Sequence, residues 1–419
     1  MAEDVKVPEG WRRVRLGEIA KVVSGFGFPT KYQGRDSGDY PFIKVEDLNR
    51  ASKYIISADN YIDKATVDLL KAKIFPPRTI IFPKIGMALY HNKYRILKVF
   101  GTFDNNIAGI ILTKGSSEFL YYYFLWTVDL KRIAGETAVP SVKKSSLELI
   151  PIIFPPLPEQ RKIAEILETV DNAIEKTDRI IEKYKRIKQG LMQDLLTRGI
   201  AESDELGVRS YELRDEKKHR FKDSPLGRIP EEWEVVELGC VGDIIYGEGL
   251  RQELYEPDGD TLVFGTGGII GRAKLFLDRG PALVIPRKGS ITSVFYIQED
   301  QKFWIIDTAF YLKPQNGYCK FIYFTLCNMD LELLNEATGV PSLSRENIKS
   351  IQIPLPPLPE QHRIASLLSQ IDEAIEKEQK YKEKLERIKK GLMEDLLMGK
   401  VRVNHLIGEN KSLERVENV

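Results

Sequence analysis

The chain has little cysteine: Cys240, Cys319 and Cys327 are the only three in 419 residues. They form no CxxC pair and leave one over, which argues against a disulfide-stapled scaffold and a zinc knuckle. A reducing, cytoplasmic setting is therefore expected. The four histidines (His91, His219, His362 and His405) lack metal-ligand spacing and a partner cysteine. No run of eighteen uncharged apolar residues occurs, so no membrane span is expected, and the first residues lack the apolar stretch of a signal peptide. Neither GxxxxGK[ST] nor an Asn-Pro-Pro-Phe/Tyr tetrapeptide is present. A Walker-type nucleotide site and an amino-methyltransferase site both lack their carriers. Charge of one sign is missing too, the net value being +1.

What is present is a soluble globular composition, 42% hydrophobic and 29% charged, long enough for two or three domains. Self-comparison is the informative step. Residues 139–199 align without a gap on 340–400, with 30 of 61 positions identical. Val139–Ser141 recurs as Val340–Ser342, and PPLPEQ at Pro155–Gln160 recurs at Pro356–Gln361. DxAIEK recurs at Asp171–Lys176 and Asp372–Lys377, and RIKxGLMxDLL at Arg186–Leu196 and Arg387–Leu397. The preceding segments repeat more faintly: Pro8–Gly17 resembles Pro230–Gly239, and Phe82–Ala88 resembles Ile285–Ile291. The chain is a tandem duplication of a variable domain followed by a near-invariant segment.

Pro-Glu-Gln at 158–160 reads as a helix start, with proline in the first turn and a carboxylate at the positive end of the dipole. Apolar residues then recur at spacings of three and four. The inter-helix seam is expected to use Ile163, Leu167, Val170, Ile174, Ile181 and Leu191 of the first copy. Its counterpart is Ile364, Leu368, Ile371, Ile375, Leu385 and Leu392 of the second. Thr177 and Lys188 interrupt one stripe; Glu378, Lys382 and Lys389 interrupt the other. A continuous helix from 158 to 196 would be about 58 Å long, and it needs a partner to bury its stripe. Gly190 and Gly391 inside the pattern suggest a kink or a close crossing. PPLP before each helix reads as a rigid entry turn rather than an SH3 ligand.

The fold class expected is α+β: two mixed α/β domains joined by two long helices packed as an antiparallel coiled coil, with an internal pseudo-two-fold repeat. The linker is long enough to permit parallel packing as well. The boundaries read as domain 1 at 1–154, helix 1 at 155–199, a linker at 200–218, domain 2 at 219–355, helix 2 at 356–400 and a tail at 401–419. Strands are expected at Thr79–Phe82, Ile107–Leu112, Ala282–Ile285, Phe303–Ile306 and Phe310–Leu312, and helices at Leu120–Ile133 and Tyr318–Asn335.

Charge divides unevenly. Residues 1–150 hold 23 Lys and Arg against 16 Asp and Glu, a net of +7, whereas residues 219–355 hold 14 against 19, a net of −5. The first suits a nucleic-acid contact; the second suits one only through a basic loop face. GTGGIIG at Gly265–Gly271 has the next glycine one place late for GxGxxG and too short a helix after it. It reads as a tight loop turning backbone N–H groups towards a ligand. With paired carboxylates lying on helix faces beside Lys and Arg, the chain reads as a non-catalytic binder.

The order of variable domain, PPLPEQ…DxAIEK…GLMxDLL, then both again resembles the DNA-specificity subunit of type I restriction–modification enzymes. Phe221–Gly239 and Val7–Ile19 look like that family's entries into its second and first target-recognition domains. The resemblance covers essentially the whole chain. It implies a subunit without activity of its own, each domain reading one half of a split, asymmetric site in double-stranded DNA. The helices set the spacer and bind two methyltransferase subunits, and restriction subunits then join. It also implies that the cofactors belong to those partners: S-adenosylmethionine for adenine N6 methylation, and ATP with Mg for restriction.

Candidate DNA-contacting residues are the polar and basic side chains of the loops that differ most between domains. In the first domain these are Lys44, Lys84, His91, Asn92, Lys93 and Arg95. In the second they are Thr266, Arg272, Lys274, Arg287, Lys288, Ser290 and Thr292. Gly86/Gly289 and Asp104/Asp307 recur in both, so they read as a turn glycine and a loop-capping carboxylate. Trp11 and Trp233 read as shared core anchors. Two rival readings remain: a self-sufficient methyltransferase, and a coiled-coil scaffold without sequence-specific DNA binding.

Overall fold

A computed structural model describes residues 7–134, 139–205, 208–315, 319–335 and 337–407, with the backbone alone at 204–205 and 208–209. The chain divides into two compact units, Met1–Thr177 with Tyr381–Val419, and Asp178–Lys380. The long helices are Leu157–Leu195 and Leu358–Leu397, each unbroken, and each contributes its two ends to different units.

In the first unit a five-stranded sheet runs in the order Ala20–Ser24, Ile107–Leu112, Ile80–Pro83, Arg95–Leu97, Tyr54–Ile55. A smaller sheet pairs Tyr40–Ile43 in parallel with Thr102–Phe103. Arg12–Arg15 pairs antiparallel with Pro151–Phe154, closing the domain just before its long helix starts. In the second unit the order Gly242–Tyr246, Ala309–Pro314, Ala282–Pro286, Phe295–Ile297 repeats the first four strands of the larger sheet. Thr261–Gly265 lies parallel to Lys302–Ile305, and Glu234–Glu237 closes on Gln352–Leu355. Two domains with little sequence in common thus share one strand order, because the burial pattern of each matched strand is retained: continuous in the two central strands and alternating in Ala20–Ser24 and Gly242–Tyr246.

The expected strands all form, shifted by a residue at most ends. The expected helices are shorter. Leu120–Ile133 is split into Ser117–Thr127 and Leu130–Ala134, because Asn92 and Asp129 tie down the backbone between them. The second is Cys319–Cys327, followed after a break by a 3-10 turn at Leu331–Leu334; the expected start, Tyr318, lies outside the described residues. Most of the segment read as a linker is ordered as a β-hairpin, Ile200–Glu205 with Val208–Leu213. A second hairpin, Phe221–Ser224 with Gly227–Pro230, leads into the second domain. The glycine-rich Gly265–Gly271 is also a hairpin, whose ladder uses backbone groups that the sequence reading had turned outwards; Gly268 has φ +105°. The close helix crossing expected at Gly190 and Gly391 is absent: a Cβ at either would meet nothing within 4 Å.

Of the seam residues, Ile163, Leu167, Ile364 and Leu368 are fully buried, and Ile181 and Leu385 nearly so. Val170, Ile174, Leu191, Ile371, Ile375 and Leu392 are half-buried. Ile163 and Leu167 join Met393, Leu396 and Leu397 in the same core as the first domain's Phe119 and Tyr122. Ile364 and Leu368 likewise join Met192, Leu195 and Leu196 in the second domain's core. Each domain is therefore built onto its helix segments rather than tethered to them.

Candidate nucleic-acid interface

The repeated PPLPEQ has a specific structural role. In the first unit the buried Glu159 carboxylate accepts the Trp11 indole N–H at 2.9 Å and a fork from Arg402, Nε at 2.7 Å and Nη2 at 3.0 Å. In the second unit Glu360 accepts the Trp233 indole at 3.1 Å and a fork from Arg214, with Ile200 N–H as a further donor. Gln160 and Gln361 turn back to donate to the Pro155 and Pro356 carbonyls at 2.7 and 2.6 Å. Tryptophan, glutamate and glutamine repeat in sequence, but the arginines come from non-equivalent positions, so periodicity does not reveal them. Trp11 and Trp233 are the expected anchors, whereas Arg214 lies in the segment expected as a linker and Arg402 in the expected tail, where no repeated signal marks either.

The polar interruptions of the heptad stripes are paired. Asp171 meets Lys389 at 2.6 Å within the first unit, and Asp372 meets Lys188 at 2.6 Å within the second. The same aspartate and lysine recur on both helices, so each pair is the other with the helices exchanged, the mark of an isologous contact within one chain. In the first unit Glu159 lies by Arg402 and Asp171 by Lys389: one number rises as the other falls. In the second, Lys188 lies by Asp372 and Ile200 by Glu360. The helix segments run antiparallel in both units, as expected.

Asp171 also accepts the Tyr122 hydroxyl at 2.7 Å, and Glu168 accepts Tyr54 at 2.6 Å and pairs with Lys53 at 3.2 Å. Burial lowers the Lys53 pKa against the opposing pull of Glu168. Burial and the carboxylate bonds raise both tyrosines. These groups bind the first domain to its helix and are not available to a ligand.

The candidate contact residues fall into distinct groups. Asn92 is spent inside the fold: in the left-handed conformation, φ +48°, it accepts from Leu130 N–H. Arg95 donates Nε to the Ala51 carbonyl and Nη1 to that of Tyr94, with its pKa lowered by burial. Lys93 donates to Asn49 and Lys44 begins the Val45–Arg50 helix. In the second domain Arg272 donates to the Gly259 carbonyl, Lys274 pairs with Glu256 and Thr266 donates to the Lys288 carbonyl. His91 and Lys288 are exposed and have no side-chain hydrogen bond among the described residues.

Lys84 and Arg287 occupy one topological position, each following the strand that pairs with Ile107–Leu112 or Ala309–Pro314. Lys84 donates to Ser24 at 2.9 Å, its pKa lowered by burial; Arg287 donates to the Asp307 carbonyl and lies 5.2 Å from the Tyr246 ring centroid. After them come Gly86 and Gly289, with φ +77° and +92°. The Gly86 N–H donates to the Pro140 carbonyl and that of Gly289 to Pro341. The repeated Val-Pro-Ser is thus the strap that holds this loop in both domains. Asp104 caps its turn through the Asn106 N–H, as expected, whereas Asp307 contributes its backbone carbonyl. Ser290 and Thr292 are exposed, their hydroxyls 3.3 Å apart. Among the described residues no cluster of His, Cys, Asp and Glu could hold a metal ion, and no helix is long and apolar enough to cross a membrane.

A duplicated α+β domain, each copy fused to its own long helix, defines a class of paired recognition modules. The family model for the type I restriction modification DNA specificity domain matches residues 8–185 and again 230–387, and the chain belongs to that family. It is 28% identical over 429 residues to the putative type I restriction enzyme MjaX specificity subunit of Methanocaldococcus jannaschii, covering 95% of each chain. It is 23% identical to the type I restriction enzyme EcoDI specificity subunit of Escherichia coli, covering 87% of this chain and 82% of that one. Its fold is similar to the crystal structure of the type I restriction–modification S subunit from M. genitalium, with a TM-score of 0.64, 16% identity, and coverage of 94% and 97%.

Proposed function

We propose that this chain is the DNA-specificity subunit of a type I restriction–modification enzyme. It reads a bipartite, asymmetric site in double-stranded DNA, one half per domain, and has no catalytic role of its own. The observation that carries this is the duplication itself. The Trp–Glu–Arg clamps, the Asp–Lys pairs and the loop straps are kept in both copies, while the side chains they present differ. Different heads on a repeated frame make unlike half-sites, and a protein that reads major-groove faces meets them about 34 Å apart, one helical turn.

The long helices set the spacer and dock two methyltransferase subunits, with restriction subunits joining that assembly in the cytoplasm. S-adenosylmethionine serves the methyltransferase subunits, which take the target adenine out of the stack, and ATP with Mg serves the restriction subunits. Lys44, Lys84, His91 and Lys93 in the first domain, and Thr266, Arg272, Lys274, Arg287, Lys288, Ser290 and Thr292 in the second, supply phosphate and base contacts; Asn92 and Arg95 shape the loop beneath them.

The test is to map N6-methyladenine across a genome in cells carrying this chain with its cognate methyltransferase subunit, against cells lacking the chain. A split motif with a fixed gap, present only with the chain, is expected. An unchanged methylome with an active partner would replace this reading with a scaffold that carries no sequence specificity.

A further inference from the structure

We propose that the loop strapped by Val-Pro-Ser is the base-reading element of each domain, with Met87 in the first and Ser290 with Thr292 in the second as specificity-determining residues. The inference deepens the specificity-subunit reading and rests on it.

The frame of the loop is the same in both copies. Lys84 N–H donates to the Asn106 carbonyl, and Arg287 N–H to that of Thr308. Val142 N–H returns to Lys84, and Leu343 N–H to Arg287. Isolated bridges join Ile85 to Ser141 and Lys288 to Ser342. A left-handed glycine follows in each, and a Cβ there would meet nothing within 4 Å, so backbone conformation rather than crowding requires the glycine. The frame thus delivers the next residue outwards from a fixed base that carries a cation at the same place, Lys84 or Arg287, with Lys288 as a second one in the second domain.

The residues delivered differ in kind. Met87 opens the 3-10 turn Met87–His91 and is 68% exposed, although Leu89 two places on is fully buried. At the same place the second domain presents the exposed hydroxyls of Ser290, Thr292 and Ser293, with Ile291 buried between them. A constant frame with a variable tip is what a pair of readers for unlike half-sites needs. An exposed thioether suits an apolar contact with a thymine C5-methyl group, while paired hydroxyls suit hydrogen bonds to base edges. The cation at the base suits a flanking phosphate.

The experiment maps N6-methyladenine in cells expressing the full chain with its methyltransferase subunit, comparing wild type with Met87→Ser, Met87→Leu and Ser290→Ala/Thr292→Val. Met87→Ser is expected to relax discrimination about tenfold at one position in one half of the motif, a thymine. Met87→Leu should retain the motif, and the hydroxyl variant should relax the other half alone. Loss of methylation in Met87→Ser but not in Met87→Leu also supports the proposal. An unchanged motif in both Met87→Ser and the hydroxyl variant, changes in both halves together, or equal loss in the serine and leucine variants would overturn it. Failure of the underlying reading is separate: wild type would then give no split motif.

Discussion

Removing the arginine from each Trp–Glu–Arg clamp tests how the domains are fastened to their helices. In the first unit the Glu159 side chain is 1% exposed and that of Arg402 is 29% exposed. Arg402→Leu leaves a carboxylate away from water with neutral donors alone, the Trp11 indole and the Asn404 amide, and loss of one partner of a buried pair costs about 3–5 kcal/mol. Glu159→Leu is milder. The arginine can turn to solvent, and the principal loss is the bond to the Trp11 N–H, about 1–3 kcal/mol. In the second unit Arg214 and Glu360 are 8% and 9% exposed, but Arg214 keeps the outer Glu232 at 3.2 Å when Glu360 is removed, so Arg214→Leu should again be the costlier of the two, by a smaller margin. Urea titrations followed by far-UV circular dichroism, with hydrogen exchange at the tryptophan indoles reporting each unit, measure all four. Equal costs for Arg402→Leu and Glu159→Leu, or a cost under about 1 kcal/mol for Arg402→Leu, would refute the burial argument.

Two further outcomes follow from the same structure. Lys389→Glu sets like charges together at Asp171 and should cost about 1–2 kcal/mol, between exposed and buried pairs; adding Asp171→Asn, which keeps an oxygen for the Tyr122 hydroxyl, should remove most of that cost in a double-mutant cycle, and no coupling would deny the pair any share in helix pairing. Burial pushes the Cys319 thiol up to about 12, so its thiolate is scarce at pH 8. Iodoacetamide should alkylate the exposed Cys240 and leave Cys319 intact until urea unfolds the second unit, as peptide mass mapping would read; early labelling of Cys319 would contradict its burial.

Both domains' strands were legible because short apolar runs bounded by glycine and proline admit few alternatives, as at Ile107–Leu112. The helix over Leu120–Ile133 was overdrawn because apolar periodicity continues past Thr127, while the Asn92 contact that stops it arrives from 38 residues away. The loop glycines were recognised as structural from their recurrence, but their strap was not, since Pro140 and Pro341 lie more than fifty residues further along the chain. Arg95 looked like a base reader from its type and its place in a basic loop. The carbonyls that occupy two of its donors are a tertiary fact.

By itself the sequence determined the duplication, the long helices, the α+β class and the family, because each rests on local periodicity or on a pattern repeated at fixed offset. The tertiary structure decided which charges are spent and which are presented. It gave Glu159 and Glu360 their arginines from non-equivalent positions and matched Asp171 with Lys389. It also placed Met87 and Ser290 on equivalent frames. Those decisions depend on which distant groups a buried polar atom can reach, and such a group accepts whatever donor the fold brings to it, wherever that donor lies in the chain.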